Sequence, residues 1–275
     1  MGAMATGIDP VYARSWLLVP GADRDRFGAA ASSAADAVVL DLEDAVPPDD
    51  KSSARAAVID WLRAGNTAWV RINDATTPHW CDDVDALAGV PGLAGVMLAK
   101  TESGQQVEAT HEALAATLPV LVLIESAAGL EAVPEIARAE GTFRLAFGSG
   151  DFRRDTGMSD SPLALAYPRS RLVITSRAAR LPGPIDGPSL TDDPQILERE
   201  AHLTREMGMT GKLCTTPDRA PYANAALSPD SDDIAWARTI IARVGEDGSG
   251  VRDGSDLPRL AKAKKITRLS RIFGR

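Results

Sequence analysis

Short apolar runs alternate along the chain with longer stretches of helical periodicity. The apolar runs cover residues 16–19, 37–42, 68–72, 95–98, 120–124, 144–147, a weaker one at 180–185, and 212–214. Between and after them the spacing predicts helices near 24–35, 52–63, 80–88, 103–117, 129–139, 160–178, 193–207 and 217–226. Runs this short and continuous are what strands buried on both faces look like. Strands alternating with helices imply crossover connections and a parallel sheet. Eight such units favour a closed TIM (β/α)8 barrel over an open sheet. A dinucleotide-binding reading has little support. Gly148-Ser149-Gly150 follows a strand, but no third glycine arrives at the required spacing and Asp151 would repel a pyrophosphate. Two further helices are predicted at 231–244 and 256–272, joined by a Gly/Asp-rich stretch. The expectation is a barrel domain over 12–227 and a C-terminal helical extension over 228–275, packing on the barrel or on a neighbouring subunit.

The polar residues gather where the strands end. Those ends read Asp41-Leu42-Glu43-Asp44, Arg71-Ile72-Asn73, Lys100-Thr101-Glu102, Glu125-Ser126 and Gly148-Ser149-Gly150-Asp151. In a barrel the carboxyl ends of the strands form the open, functional face. Charge is costly beside apolar strands unless it is paired or binds an ion. Glu125 and Asp151 lie on adjacent predicted strands and could share one cation; two carboxylates plus water and substrate oxygens suit Mg2+. Zinc is disfavoured, because only His79 lies near a strand end and the cysteines are isolated. Arg71 offers a fork suited to a substrate carboxylate, or alternatively a salt bridge to Asp41 or Glu43. Asp41 and Glu43 point the same way along a strand, and crowded acids raise a pKa, which suits proton transfer or support of metal-bound water. Lys100 and Lys51 either balance these acids or take a catalytic part.

Composition narrows the partners. The 275 residues carry a formal net charge of -8, which disfavours a nucleic-acid partner. The basic stretch 259–275 reads as a solvated helix face. Cys81 and Cys214 build neither a zinc site nor a disulfide framework, so a reducing cytoplasm fits. No apolar stretch reaches the ~20 residues that span a bilayer. No basic region followed by an apolar run marks a signal peptide. Met1-Gly2-Ala3-Met4 reads as a remnant ahead of a second start.

In order and spacing, these pieces match a known family. They include Arg14-Ser15 with Leu18-Val19-Pro20, the segment ending Asp41-Leu42-Glu43-Asp44, and Lys51 with Ala54-Arg55. They continue through Arg71-Ile72-Asn73, Lys100-Thr101-Glu102-Ser103, Glu125-Ser126-Ala127-Ala128-Gly129, Phe147-Gly148 before Asp151, Ile185-Asp186-Gly187, Gly211-Lys212 and Val251-Arg252-Asp253. The chain resembles the citrate lyase β-subunit-like group of the HpcH/HpaI aldolases from about Arg14 to about Lys265. The resemblance implies a TIM barrel assembled as a homotrimer or a hexamer of two trimers. It implies Mg2+ on Glu125 and Asp151, and Arg71 holding the carboxylate of an oxaloacetate-, malate- or glyoxylate-like moiety. Arg14 and Lys100, inside the matched blocks, join Arg71 and Glu125 as candidate substrate contacts. The implied chemistry is reversible carbon–carbon cleavage of a citryl, malyl or citramalyl thioester on CoA or an acyl-carrier protein. Some members hydrolyse the thioester with an acid from a neighbour's tail, and Asp253 matches that position. Asp41 or Glu43 is the candidate proton relay. The alternatives are a thioesterase on the same site and a keto-acid-binding paralogue without turnover. Three departures stand out: Thr215-Thr216-Pro217 in place of Ile-His-Pro, Gly150 in place of Glu, and Ala99 in place of Pro. They flank the metal site and leave its ligands intact.

Overall fold

The structure is a computed structural model that describes residues 7–275; Met1–Met4 lie outside them. Its strands and helices alternate as β1 (Ser15–Pro20), α1 (Asp25–Ala31), β2 (Ala37–Asp41), α2 (Lys51–Arg63), β3 (Ala68–Ile72), α3 (Pro78–Leu87), β4 (Leu93–Leu98) and α4 (Gly104–Ala113). They continue as β5 (Val120–Ile124), α5 (Ala127–Ile136), β6 (Thr142–Phe147), α6 (Ser149–Thr156), α7 (Ala166–Ala178), β7 (Ile185–Asp186), α8 (Pro194–Glu206), β8 (Gly211–Cys214) and α9 (Ala220–Ala226). The eight strands are parallel and close in chain order, β8 pairing with β1, which makes the TIM barrel. The chain divides into two compact units, one through Asn224 and one of Ala225–Arg275. Among the described residues no helix is long and apolar enough to cross a membrane.

Alternation along the strands sorts side chains into two cores. Ala37, Val39, Trp69, Met97, Leu121, Leu123, Ala146 and Leu213 fill the barrel interior. Their neighbours Val38, Leu40, Val70, Val96, Leu98, Val122 and Ile124 pack outward with the helices. This two-sided burial is why the strands read as continuous apolar runs. At the amino end of the barrel Trp16 meets Trp69 edge-on, centroids 5.2 Å apart, and the Arg144 guanidinium lies 5.7 Å from the Trp16 ring centroid. Arg144 is fully buried without a carboxylate partner among the described residues. Its Nε donates to Gly183 O (2.6 Å), Nη1 to Ala13 O (2.9 Å) and Nη2 to Thr210 Oγ1 (2.9 Å). Gly211 makes room for it: a Cβ there would stand 2.8 Å from Arg144 Nη2.

Two elements differ from the sequence expectation. The run at 180–185 shrinks to Ile185–Asp186, because Pro182 and Pro184 cannot donate to a strand ladder. The helix expected at 160–178 starts only at Ala166, while an unexpected helix, α6, follows β6 immediately and ends at Gly157 in the left-handed conformation. In the second unit, α10 (Ser231–Val244) and α11 (Asp256–Ile272) pack through Ala237, Ile240 and Val244 against Leu260, Ala263 and Ile266. Buried Asp256 ties the pair together by accepting from Arg243 Nη2 (2.5 Å) and Arg252 N (2.9 Å).

Candidate active site at the barrel mouth

The inward register of each strand continues past the apolar layers into charge. On β2 and the turn after it, Asp41 and Glu43 follow Ala37 and Val39; on β3, Arg71 follows Trp69; beyond β5, Glu125 follows Leu121 and Leu123. Asp41 and Arg71 are register partners on neighbouring strands. Arg71 therefore donates from Nε to Asp41 Oδ1 (2.6 Å) and from Nη2 to Asp41 Oδ2 (2.5 Å), while Nη1 stands 3.1 Å from Glu43 Oε2. Of the two readings of Arg71, the ion pair is present, and the remaining N–H groups of its five-donor fork stay available for another carboxylate. Asp41 also accepts from Glu43 N (2.9 Å) and Ala45 N (3.3 Å), so it serves as an anchor for the turn and for Arg71. Glu43 is less satisfied. Its Oε1 takes the Lys100 ammonium, and its buried Oε2 has no hydrogen-bond partner. Burial raises its pKa above the usual carboxylate range, against the opposing charges of Arg71 and Lys100.

Lys100 is the hub. Its backbone has φ of 48°, a left-handed conformation that an ordinary side chain adopts at a cost of about 1–3 kcal/mol. That twist aims its N–H at Glu125 Oε1 (2.8 Å), while Nζ reaches Glu43, Asp44 Oδ1 (3.0 Å) and Asp151 Oδ2 (3.6 Å). Burial works against the ammonium, but Glu43 and Asp44 outweigh it and hold its pKa above the ordinary value. Glu125 is 5% exposed, and burial pushes its carboxyl up to about 8 despite the Lys100 N–H and the Arg71 charge. Asp151 stands in the first turn of α6, 3.1 Å from Arg154 Nη2, and its buried Oδ2 has no hydrogen-bond partner. Gly148 permits the closeness of β6 to Glu125, since a Cβ there would come within 2.5 Å of Glu125 Cβ.

A layer of residues that the sequence reading gave little weight holds this mouth. Lys51 Nζ donates to Leu42 O and Glu43 O, both at 2.7 Å, so it braces the acidic turn as well as balancing its charge. Asn73 Nδ2 bonds Leu42 O (3.0 Å) and Asp83 Oδ2 (2.6 Å), and Asp83 is paired with Arg55 Nε at 2.8 Å. Asp83 carried no sequence signal beyond its place on an amphipathic helix.

One candidate is not brought to the mouth. Arg14 precedes β1 at the opposite end of the barrel, its fork closed on Asp36 at 2.7 Å and 2.9 Å. That corrects its assignment as a substrate contact: a residue before a strand lies on the closed face, and a buried partner consumes its donors. Asp253 belongs to the second unit, where it is exposed and its Oδ1 accepts from Ser255 N (2.7 Å). Among the described residues no group of three or more His, Cys, Asp or Glu side chains is arranged to hold a metal. The candidate cation ligands Glu125 and Asp151 both border Lys100.

Comparison with known proteins gives this arrangement a lineage. The HpcH/HpaI aldolase/citrate lyase pattern matches residues 14–217, and the HpcH/HpaI aldolase C-terminal domain matches 232–274. A citrate lyase subunit beta-like protein of Deinococcus radiodurans is 31% identical over 94% of this chain and 97% of its own length. An L-malyl-CoA/beta-methylmalyl-CoA lyase of Cereibacter sphaeroides is 32% identical over 94% and 95%. Among solved structures, the protein CitE of Mycobacterium tuberculosis in complex with magnesium, acetoacetate and coenzyme A superposes with a TM-score of 0.80 at 30% identity, covering 96% of this chain and all of that one. The chain belongs to the HpcH/HpaI aldolase/citrate lyase family and is a lyase.

Proposed function

We propose that the chain is a Mg2+-dependent carbon–carbon lyase that splits a 3-hydroxyacyl thioester of the citryl, malyl or citramalyl type into a keto acid and an acyl thioester. The observation that supports this reading most is the convergence of Arg71, Glu43, Lys100, Glu125 and Asp151 at one barrel mouth. The donor set fits a hard divalent cation: Asp151 Oδ2 is buried, ion-paired with Arg154 and Lys100 but without a hydrogen bond among the described residues, and Glu125 is a buried carboxylate whose pKa burial raises until a cation compensates it. Glu125 and Asp151 would hold the ion, with water and substrate oxygens completing the shell. Bound there, it supplies Lewis-acid polarisation of the oxygen that becomes the keto group.

The remaining steps fall to the chain's own groups. The N–H groups of Arg71 left free by Asp41 bind the carboxylate of the keto-acid half. Glu43 accepts the proton of the substrate hydroxyl. The carbon–carbon bond then breaks, its electron pair passing to the thioester fragment as an enolate that takes up a proton to give the acyl thioester. Asp41 keeps Arg71 oriented throughout. The magnesium, acetoacetate and coenzyme A held by the Mycobacterium tuberculosis relative support this assignment of substrate classes.

The same resemblance assigns Asp253 to thioester hydrolysis across a subunit boundary in a trimer or hexamer, in a cytoplasmic setting that two free cysteines suit. Free CoA beyond the acyl-CoA formed, lost in Asp253→Ala alone, is its expected signature. The direct experiment mixes the protein with Mg2+ and malyl-, citramalyl- or citryl-CoA and measures keto acid. Product should appear with at least one of them and vanish on chelation. Intact Mg2+ binding without product from any of the three would leave a metal site and remove the lyase.

A further inference from the structure

The loops after β7 and β8 enclose a second polar cleft, walled on one side by Leu197 and Ala201 of α8. Its polar side chains are Ser189, Lys212, Arg219 and Tyr222. Arg219 spans the cleft: Nη1 donates to Ser189 O (2.7 Å) and to Thr215 Oγ1, and Nη2 to Asp192 Oδ1 (3.0 Å). Thr215 is one of the residues standing in place of the family's Ile-His-Pro. Among the described residues, Arg219 Nε is buried and has no hydrogen-bond partner, and neither has Ser189 Oγ, in a residue only 4% exposed. Lys212 Nζ donates to Gly187 O (2.9 Å) and lies 3.8 Å from Asp186 Oδ2, which leaves part of its donor capacity unused.

The acids nearby answer these donors only in part: Asp186 faces Lys212 at 3.8 Å and reaches neither Arg219 Nε nor Ser189 Oγ. Asp186 is turned to Arg169 Nε (2.9 Å) and Thr204 Oγ1 (2.7 Å), and Asp36 is held by Arg14. The carboxylate on Arg219 belongs to Asp192, whose side chain is 95% exposed. Buried donors without acceptors are rare and costly; Arg219 Nε and Ser189 Oγ, in a cleft that Lys212 also lines, define a place for an acceptor. Exposed ion pairs are weak, so Asp192 is a partner that a stronger anion displaces. The enclosed part of the cleft, about 10 Å3, takes a single water-sized oxygen, with the rest of a ligand outside it.

We propose that Arg219, Ser189 and Lys212 form a subsite for a phosphate-type oxyanion that inserts one oxygen and displaces Asp192. Donors converge from separate elements, β8 and the loops after β7 and β8, which suits a tetrahedral anion better than a planar one. Loops after the seventh and eighth strands hold phosphate groups in many barrels of this architecture. The ligand is either a phosphate ester of the thioester carrier or free phosphate. The subsite stands on these residues alone and does not depend on the lyase reading.

Calorimetry of the full chain with inorganic phosphate, and separately with CoA, tests it. Asp192→Asn removes the internal competitor and should tighten phosphate by roughly 3- to 10-fold, whereas Arg219→Gln should weaken it by at least about 10-fold. Ser189→Ala, a change the fold tolerates easily, should weaken it by about 3-fold. Parallel loss of CoA affinity in Arg219→Gln identifies the carrier's phosphate as the source; loss of inorganic phosphate alone identifies the free anion. Absence of phosphate binding in both the natural chain and Asp192→Asn, or equal affinity in Arg219→Gln, overturns the proposal and leaves an ordered water in the cleft.

Discussion

Arg144 and Arg71 are both buried in this barrel, one near each end, and their companions differ. Arg144, at the amino end, is held by the carbonyls of Gly183 and Ala13 and the hydroxyl of Thr210. Arg71, at the mouth, is held by the carboxylates of Asp41 and Glu43. Neutral dipoles aimed at Arg144 satisfy its donors without adding charge, so that end is a plug with nothing to exchange. At the mouth, the carboxylates of Asp41, Glu43, Asp44, Glu125 and Asp151 stand among Arg71, Lys100, Lys51 and Arg154, so charge faces charge there. Glu125, a buried carboxylate on which burial weighs most, is unfavourable alone and becomes favourable when a cation enters. One end is built to be complete and the other to be completed.

The contrast breaks most visibly at Arg71. Arg71→Ala strands Asp41 and Glu43 and removes the carboxylate anchor, so kcat/KM should fall by on the order of 10^3 or more. Steady-state kinetics checks this, and a loss under tenfold would place the anchor elsewhere. Arg144→Met should act on stability instead. It orphans buried acceptors at a cost of about 3 kcal/mol, which lowers Tm by on the order of 10 °C in thermal unfolding followed by circular dichroism. Burial pushes the Arg144 guanidinium down only to about 9, so between pH 5 and 8 it is protonated in folded and unfolded chains alike. The loss should therefore be flat across that window, and a slope would mean that an acid partner exists.

Gly148→Ala sharpens the comparison more gently. The added methyl must push Glu125 aside, so Mg2+ affinity by calorimetry should drop by roughly 10-fold with the fold preserved. The smallest shift is in the pH profile and concerns the natural Glu43. Because burial raises its pKa, the fraction in the proton-accepting form grows with pH over a range above that of an exposed glutamate. The acid limb of kcat/KM should lie correspondingly high, and Glu43→Gln should abolish that limb.

Strand positions and the acids at their ends were legible because a period of two, run to its end, forces Asp41, Glu43, Arg71 and Glu125 onto the inner face. Other features come from contacts between residues far apart in sequence, which periodicity does not encode. The closure of Arg14 on Asp36 joins two strand starts, and only the three-dimensional register shows it. The brace of Lys51, Asn73, Asp83 and Arg55 gathers residues from two helices and a strand end. The twisted backbone of Lys100 is set by its two ends being fastened separately, to Glu125 and to Glu43. Helix α6 was missed because Gly148-Ser149-Gly150 reads as loop, although the first glycine serves a close approach and the second leaves open space.

The Asp41–Arg71 rung has one more consequence, for how the chain finds its barrel. A parallel ladder that slips by one residue turns every side chain to the other face. For β3 such a slip would drive the guanidinium into the apolar layer beneath the helices and leave Asp41 facing nothing. Misregistered pairings, the characteristic hazard of slow, non-local sheet assembly, are therefore penalised by charge as well as by shape. The pair that orients the proposed carboxylate anchor also proofreads the alignment of the strands that carry it.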